Sequence, residues 1–229
     1  TFYNGNLSDI YIEQEDISYL LAAIRFMFPT VDIKEADIES SWAGVRPLIH
    51  EEGKSPSEIS RKDEIWESSS GLITIAGGKL TGYRKMAEVI VNHVVKKFTD
   101  RKLRPCITKQ LPLSGGEVGG SKYFKQYVAR KAQLGVQYGI SIEESTKLAQ
   151  YYGSNVERVF AYLQVDHPTL PKILYAKLKY GIEHELVVHP ADFFIRRTSS
   201  LFFDIDSVRK YKEAVLDEMQ TILGWNTKQ

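Results

Sequence analysis

An α+β first part followed by an all-α domain is the fold class this sequence predicts, on three observations. Strand-like and helix-like signals alternate over residues 1–98. An irregular connection rich in glycine and proline fills 99–120. Helical signals then run almost unbroken through 121–229. With 229 residues, 43% of them apolar, the chain can bury a real core, so the three ranges are read as a domain, a linker and a second domain.

In the first range, Asp9-Ile10-Tyr11-Ile12 reads as a short strand. Gln14 to Phe28 follows as a helix, because Ile17, Leu20, Leu21, Ile24 and Phe28 recur at the three-and-four spacing of one inward face. Glu15 and Asp16 suit the positive end of its dipole, and Pro29 ends it. Ile38 to Val45 reads as a strand running into Arg46-Pro47, and Glu51 to Ser60 as a polar loop. Asp63 to Glu67 and Gly71 to Ala76 are two further strands, divided by Ser68-Ser69-Ser70. Thr81 to Phe98 closes the range as a helix with Met86, Val89, Ile90, Val94 and Phe98 on one stripe.

In the helical range, Ser141-Ile142-Glu143-Glu144 and Ser154-Asn155-Val156-Glu157 both have the form of a capping box, in which serine accepts from the N3 amide and glutamate reaches back. Gly139 and Gly153 fall where helices should end. Leu170 to Val187 is an amphipathic helix, Pro190 suits the first turn of the next, and Ser207 to Leu223 is the last. Asp192 to Thr198 reads as a helix with a wide apolar face, whose charges cap or brace its neighbours.

Charge and composition exclude several classes. A net charge of +1 leaves no electrostatic footprint for nucleic acid. Abundant aromatics and mixed charges exclude disorder. The single cysteine, Cys106, excludes an internal disulfide and a thiolate metal cluster. No apolar run is long enough to span a bilayer. Thr1 opens without Met, directly into Phe2-Tyr3-Asn4-Gly5, which reads as a piece whose natural start lies upstream.

The stretch richest in chemistry is Leu72 to Ala87, read as a buried strand, a Gly77-Gly78 turn and the first turns of a helix, with Lys79 at the junction. Glycines let a ligand approach bare backbone, and a helix start offers unpaired N–H groups to a phosphate, a carboxylate or an electron-rich carbonyl. The plainer alternative is an ordinary strand-to-helix connection with a surface lysine. A Walker phosphate loop is excluded, because Leu80 stands where Ser or Thr must follow the lysine. Arg46 sits at the end of an apolar run between Gly44 and Pro47 and must meet either solvent or an anion. Arg61 is a third cation after a loop. Two arginines and a lysine suit a phosphate, since the guanidinium fork matches its oxygens, while structural salt bridges are the competing account. His184 and His189 stand five apart rather than the four a zinc helix needs. No histidine lies near Cys106 in sequence.

Taken together, Ser41 to Leu48, Ile59-Ser60-Arg61 and Ile75 to Arg84 resemble the FAD-dependent (aerobic) glycerol-3-phosphate dehydrogenases in order and spacing. Tyr180 to Glu185 and Pro190 to Thr198 resemble that family's helical C-terminal domain. The resemblance implies that 1–98 is a remnant of an FAD- and substrate-binding oxidoreductase domain. It implies a flavoenzyme oxidising sn-glycerol 3-phosphate to dihydroxyacetone phosphate, with hydride passing to FAD and electrons to a membrane quinone. Carried over, Arg46 and Lys79 are the catalytic candidates. Arg46, Arg61 and Lys79 would hold substrate, and Gly77, Gly78, Lys79, Leu80 and Thr81 would meet the flavin. Gly82 departs from the Thr or Ser usual there, which should loosen the helix start. A glycine-rich dinucleotide fingerprint is absent, so this chain is expected to be the C-terminal portion, holding no FAD tightly and inactive alone. The resemblance also implies a cytoplasmic enzyme, at the inner face of the membrane through peripheral contact, and a homodimer. Three alternatives stand beside it: a helical interaction module with structural arginines, an amino-acid-oxidase relative, and an oxidase that uses oxygen directly.

Overall fold

The computed structural model describes Tyr3 and residues 5–45, 64–77 and 80–225. These residues are mostly helical, with a single two-stranded sheet. The chain divides into two compact units: Thr1–Ile12 with Trp42–Leu111, and Glu13–Ser41 with Pro112–Gln229.

The first unit is built on a hairpin. Strand β1 (Glu64–Glu67) pairs antiparallel with β2 (Ile73–Ala76), with Glu64 opposite Ala76 and Glu67 opposite Ile73. The three serines form the turn. The Ser68 amide donates to the Leu72 carbonyl at 2.9 Å, and the Gly71 amide donates to the Ser68 carbonyl at 2.9 Å. Asp9–Ile12 and Ile38–Val45 form no strand, contrary to the sequence expectation. A strand needs a neighbour to satisfy its amides and carbonyls, and among the described residues only β1 and β2 are paired.

In the second unit, α1 (Gln14–Met27) ends at Phe28, as Pro29 requires. Its apolar stripe is only partly used: Leu21 is buried, while Leu20, Ile24 and Phe28 are exposed. The Arg25 guanidinium donates to the Ile33 carbonyl, and the Ser40 hydroxyl donates to the Phe202 carbonyl at 3.0 Å, tying this segment to the helical domain.

The helices from 124 onward are α3 (Phe124–Val136), α4 (Ile142–Tyr152), α5 (Val156–Tyr162), α6 (Lys172–Glu185), α7 (Ser200–Phe203) and α8 (Ile205–Leu223). They enclose two cores, and α6 is the wall between them. Ala176 and Tyr180 face one core with Leu148, Val159 and Phe160; Tyr175 and Leu178 face the other with Phe193, Val215 and Met219. α3 and α4 cross closely because Gly135 has no side chain: a Cβ there would collide with Ser145 Oγ and come within 2.8 Å of Phe160 Cζ.

The Ser141 capping box forms as its spacing predicts. The Glu144 amide donates to Ser141 Oγ at 3.2 Å, and the Ser141 amide donates to Glu144 Oε2 at 2.8 Å. The Ser154 box does not form. Residues Gly153–Asn155 make a 3₁₀ turn, Asn155 takes the cap position of α5, and the Ser154 amide donates to the Gly115 carbonyl at 2.9 Å. Gly153 and Gly115 both have positive φ (54° and 86°), and a Cβ on Gly153 would strike that same carbonyl. With Asn155 Nδ2 donating to Ser114 Oγ at 2.8 Å, this contact fastens the segment after Pro112 to the α4–α5 corner.

α6 stops at Glu185, two residues before the expected end, because Leu186 takes a left-handed conformation (φ 57°) and sends Val187 back into the core. Asp192–Arg197 is a π-helical segment rather than an ordinary helix, and the Thr198 amide reaches back five residues to the Phe193 carbonyl at 2.9 Å. Its charges brace the surroundings as the sequence suggests. Asp192 accepts from the amides of Val188 and His189 and pairs with Arg196 at 2.8 Å, and the Arg197 guanidinium donates to the Glu185 carbonyl that ends α6.

Candidate functional site

Among the described residues the order of strand, glycine and helix follows the sequence expectation, but β2, expected to be buried, keeps every residue at least partly exposed. β2 ends at Ala76, Gly77 follows with φ 95°, Leu80–Gly82 makes a 3₁₀ turn, and α2 (Tyr83–Val95) begins. A φ of 95° is one that residues with a Cβ rarely adopt, so glycine at 77 is required by the turn. Among the described residues the junction is open. Leu80 is 89% exposed, a Cβ added at Gly82 would meet no atom within 4 Å, and no acidic residue stands in the 3₁₀ turn. Gly82 itself lies in the helical region (φ −88°) and offers no side-chain cap. Bare backbone beside a helix start that carries no acidic side chain in its first turn suits an electron-rich ring edge or an anion, which is the environment an FAD pyrimidine would need. Of the predicted site residues, Gly77, Leu80 and Thr81 stand at this junction. Arg46, Arg61, Gly78 and Lys79 lie outside the described residues.

α2 is fixed by charges at both ends. Near its start, Arg84 Nη1 pairs with Glu88 at 2.7 Å and donates to Thr108 Oγ1 at 3.2 Å, while Lys85 meets Glu88 at 2.9 Å. Hydrogen bonds from Lys85 and Arg84 hold the Glu88 carboxyl below the ordinary glutamate range. Near its end, Glu67 of β1 pairs with Lys97 and meets His93 Nε2 at 3.5 Å, and the Lys97 and His93 bonds lower the Glu67 pKa as well. Cys106 is exposed, and its contact with Thr108 Oγ1 at 3.0 Å is the main cause that lowers the thiol's pKa. Thr108, two residues further on, supplies this contact, and Arg84 reaches the same hydroxyl from 24 residues away.

The three histidines of the helical domain have separate partners, and His167 Nε2 lies 3.1 Å from Glu218 Oε2. His184 Nε2 lies 3.1 Å from the Tyr162 hydroxyl, which also donates to Glu183; burial first and Glu183 second push the Tyr162 pKa up to about 12. His189 Nδ1 lies 3.6 Å from Asp192. Among the described residues no three His, Cys, Asp or Glu side chains converge, and no helix is long and apolar enough to cross a membrane.

Comparison with known proteins places the chain. It belongs to the family described as the C-terminal domain of alpha-glycerophosphate oxidase, whose profile matches residues 106–229. It is 51% identical, over 99% of its length, to the aerobic glycerol-3-phosphate dehydrogenase of Bacillus subtilis (strain 168). It is 47% identical, over its whole length, to the enzyme of the same name from Staphylococcus haemolyticus (strain JCSC1435). The X-ray structure of the glycerol-3-phosphate dehydrogenase from Bacillus halodurans, complexed with FAD, matches 100% of this chain with a TM-score of 0.86 and 42% identity. The chain spans 42% of the length of these curated relatives and 44% of that structure.

Proposed function

We propose that this chain is the C-terminal portion of a flavoenzyme that oxidises sn-glycerol 3-phosphate to dihydroxyacetone phosphate. The observation that carries the reading is the 51% identity to the Bacillus subtilis dehydrogenase, extending over 99% of the chain and so over the hairpin unit as well as the helical one. The open junction at Gly77 supports it. In this reading residues 1–98 carry the flavin- and substrate-facing part, 99–120 connect, and 121–229 form the helical domain, with Glu13–Ser41 grouping with the latter.

The backbone from Gly77 through Gly78, Lys79, Leu80 and Thr81 holds the pyrimidine edge of FAD, which when bound supplies the acceptor for the hydride leaving C2 of the substrate. Arg61 binds the phosphate through its guanidinium fork. Arg46 orients the substrate and stabilises negative charge developing on the C2 oxygen as its proton departs. Lys79 would add a second positive charge for the substrate hydroxyls. Electrons then pass to a quinone, by peripheral contact of a cytoplasmic homodimer with the inner face of the membrane. The 229 residues by themselves neither hold FAD tightly nor turn over substrate.

A second reading, direct transfer to oxygen, is favoured by the word oxidase in the family's description. An anaerobic visible spectrum of the enzyme that carries this chain, before and after sn-glycerol 3-phosphate, tests the first. The flavin band should bleach, and Arg46→Ala should abolish the bleaching. A flavin that stays oxidised overturns the substrate. Stoichiometric hydrogen peroxide on admitting air selects the oxidase reading over the quinone one.

A further inference from the structure

Between α4 and α6 lies a cleft of about 150 Å³, lined by Glu144, Lys147, Leu148, Tyr151, Ile173 and Lys177. The Lys177 amine lies in it, only partly exposed, 6.0 Å from the centre of the Tyr151 ring. Among the described residues Lys177 forms no ion pair and no hydrogen bond, although acids stand close by. Two acids of α4 are engaged elsewhere. Glu143 pairs with Lys147 at 2.7 Å, and Glu144 is held by the amide and hydroxyl of Ser141 in the capping box. The Tyr151 hydroxyl is spent on the Arg197 carbonyl. Asp204 acts on Lys177 only through its charge, without contact. Burial dominates, and it pushes the Lys177 pKa down.

A lysine partly withdrawn from water, with no carboxylate in contact, offers its neutral amine more readily than an exposed lysine does. A lysine in open water keeps its proton near neutral pH and reacts slowly. The cleft has room for a small acyl group against Leu148 and Ile173. At its rim Lys147 is held in its ion pair with Glu143 at 2.7 Å.

We propose that Lys177 is an acylation site for small, activated acyl donors, of which an acyl phosphate is the simplest. The Nζ lone pair attacks the carbonyl carbon and the C–N bond forms. The C–O bond to phosphate breaks with its electron pair on phosphate, and the amine proton passes to solvent. The products are a neutral amide in the cleft and inorganic phosphate. The amide removes a charge that the cleft solvates poorly, so the modified protein is at least as stable as the unmodified one.

The test is limiting acetyl phosphate on the intact protein, with acetylation at each lysine followed by peptide mass mapping. At pH 7.5 Lys177 should react severalfold faster than Lys212 and Lys147. The advantage should vanish near pH 10, where ordinary lysines lose their protons, and should vanish in guanidinium chloride at pH 7.5. Equal or slower labelling of Lys177 at pH 7.5 overturns the proposal. So does a preference that survives denaturation, since it would then come from local sequence and not from the cleft.

Discussion

In the helical unit Phe160, Phe193, Leu178 and Met219 are fully shielded from solvent, whereas among the described residues of the hairpin unit no side chain is buried. Trp66, Leu72, Leu80 and Tyr83 there each keep 45% or more of their surface in water. Both units are rich in apolar residues, so the difference lies in what surrounds them. Six helices can close around two cores. One hairpin and one helix cannot, and a two-stranded sheet is marginal in water without more to pack on. What holds the hairpin unit are charge pairs, Glu67 with Lys97 and His93 and Glu88 with Arg84 and Lys85, which lie on the surface and yield to salt. The two units are therefore stabilised by different forces and should respond to different perturbations.

The sharpest contrast comes from truncating a large side chain in each. Phe160→Ala should cost the helical unit about 3–5 kcal/mol, by lost burial and the cavity left behind. Leu72→Ala in the hairpin unit should change stability by no more than about 0.5 kcal/mol. Urea unfolding followed by circular dichroism separates the two, and comparable losses would break the contrast.

Overpacking probes the same core from the other side. Gly135→Ala should cost about 1–3 kcal/mol, because the new methyl meets Ser145 and Phe160 where α3 crosses α4. Adding Ser145→Gly should recover part of it. A neutral Gly135→Ala would mean that the crossing can relax.

The next effect is a gain. Leu186 is 85% exposed in a left-handed conformation, so its side chain contributes little while its backbone is strained. Leu186→Gly should raise the melting temperature, by about 1 kcal/mol of stability.

The smallest effect belongs to the hairpin unit and sharpens the electrostatic half of the comparison. Glu67 has its folded pKa depressed by Lys97 and His93, so its stabilisation is present above the ordinary glutamate value and is lost as pH falls through the depressed one. Amide exchange in β1 and β2 should therefore gain less protection than expected on moving from pH 6 to pH 3, and Glu67→Gln should remove that dependence. Identical profiles for the two proteins would show that the pair does not hold the strand.

Local signals in the sequence survived into the structure and long-range ones did not. The Ser141 box, the C-terminal ends of α1 and α8, and the strand–glycine–helix order around Gly77 all depend on neighbours within a few residues, and all formed. Ser154 has the same local pattern as Ser141, yet its amide is claimed by Gly115, some 40 residues earlier in the chain. Leu186 carries no sign of a left-handed turn, because its reason lies in the packing of Val187. The π-helical turn at 192–197 likewise follows from Phe193 and Phe194 entering the second core. For the candidate site, spacing suggested a place for a phosphate, a carboxylate or an electron-rich carbonyl, with an ordinary strand-to-helix connection as the alternative. The separate roles of Arg46, Arg61 and Lys79 came from family resemblance, because no spacing rule distinguishes a substrate-binding arginine from a structural one.

The meeting of Gly115 and Gly153 bears on where this protein could be cut. Beginning a recombinant helical domain at Ser121 looks natural, since regular structure starts there, but it would discard the carbonyl that the Ser154 amide needs and leave the α4–α5 corner open. A boundary placed before Pro112 keeps the two glycines together. The same clamp should shield the segment after Pro112 from proteases, directing limited digestion toward residues 99–111 instead.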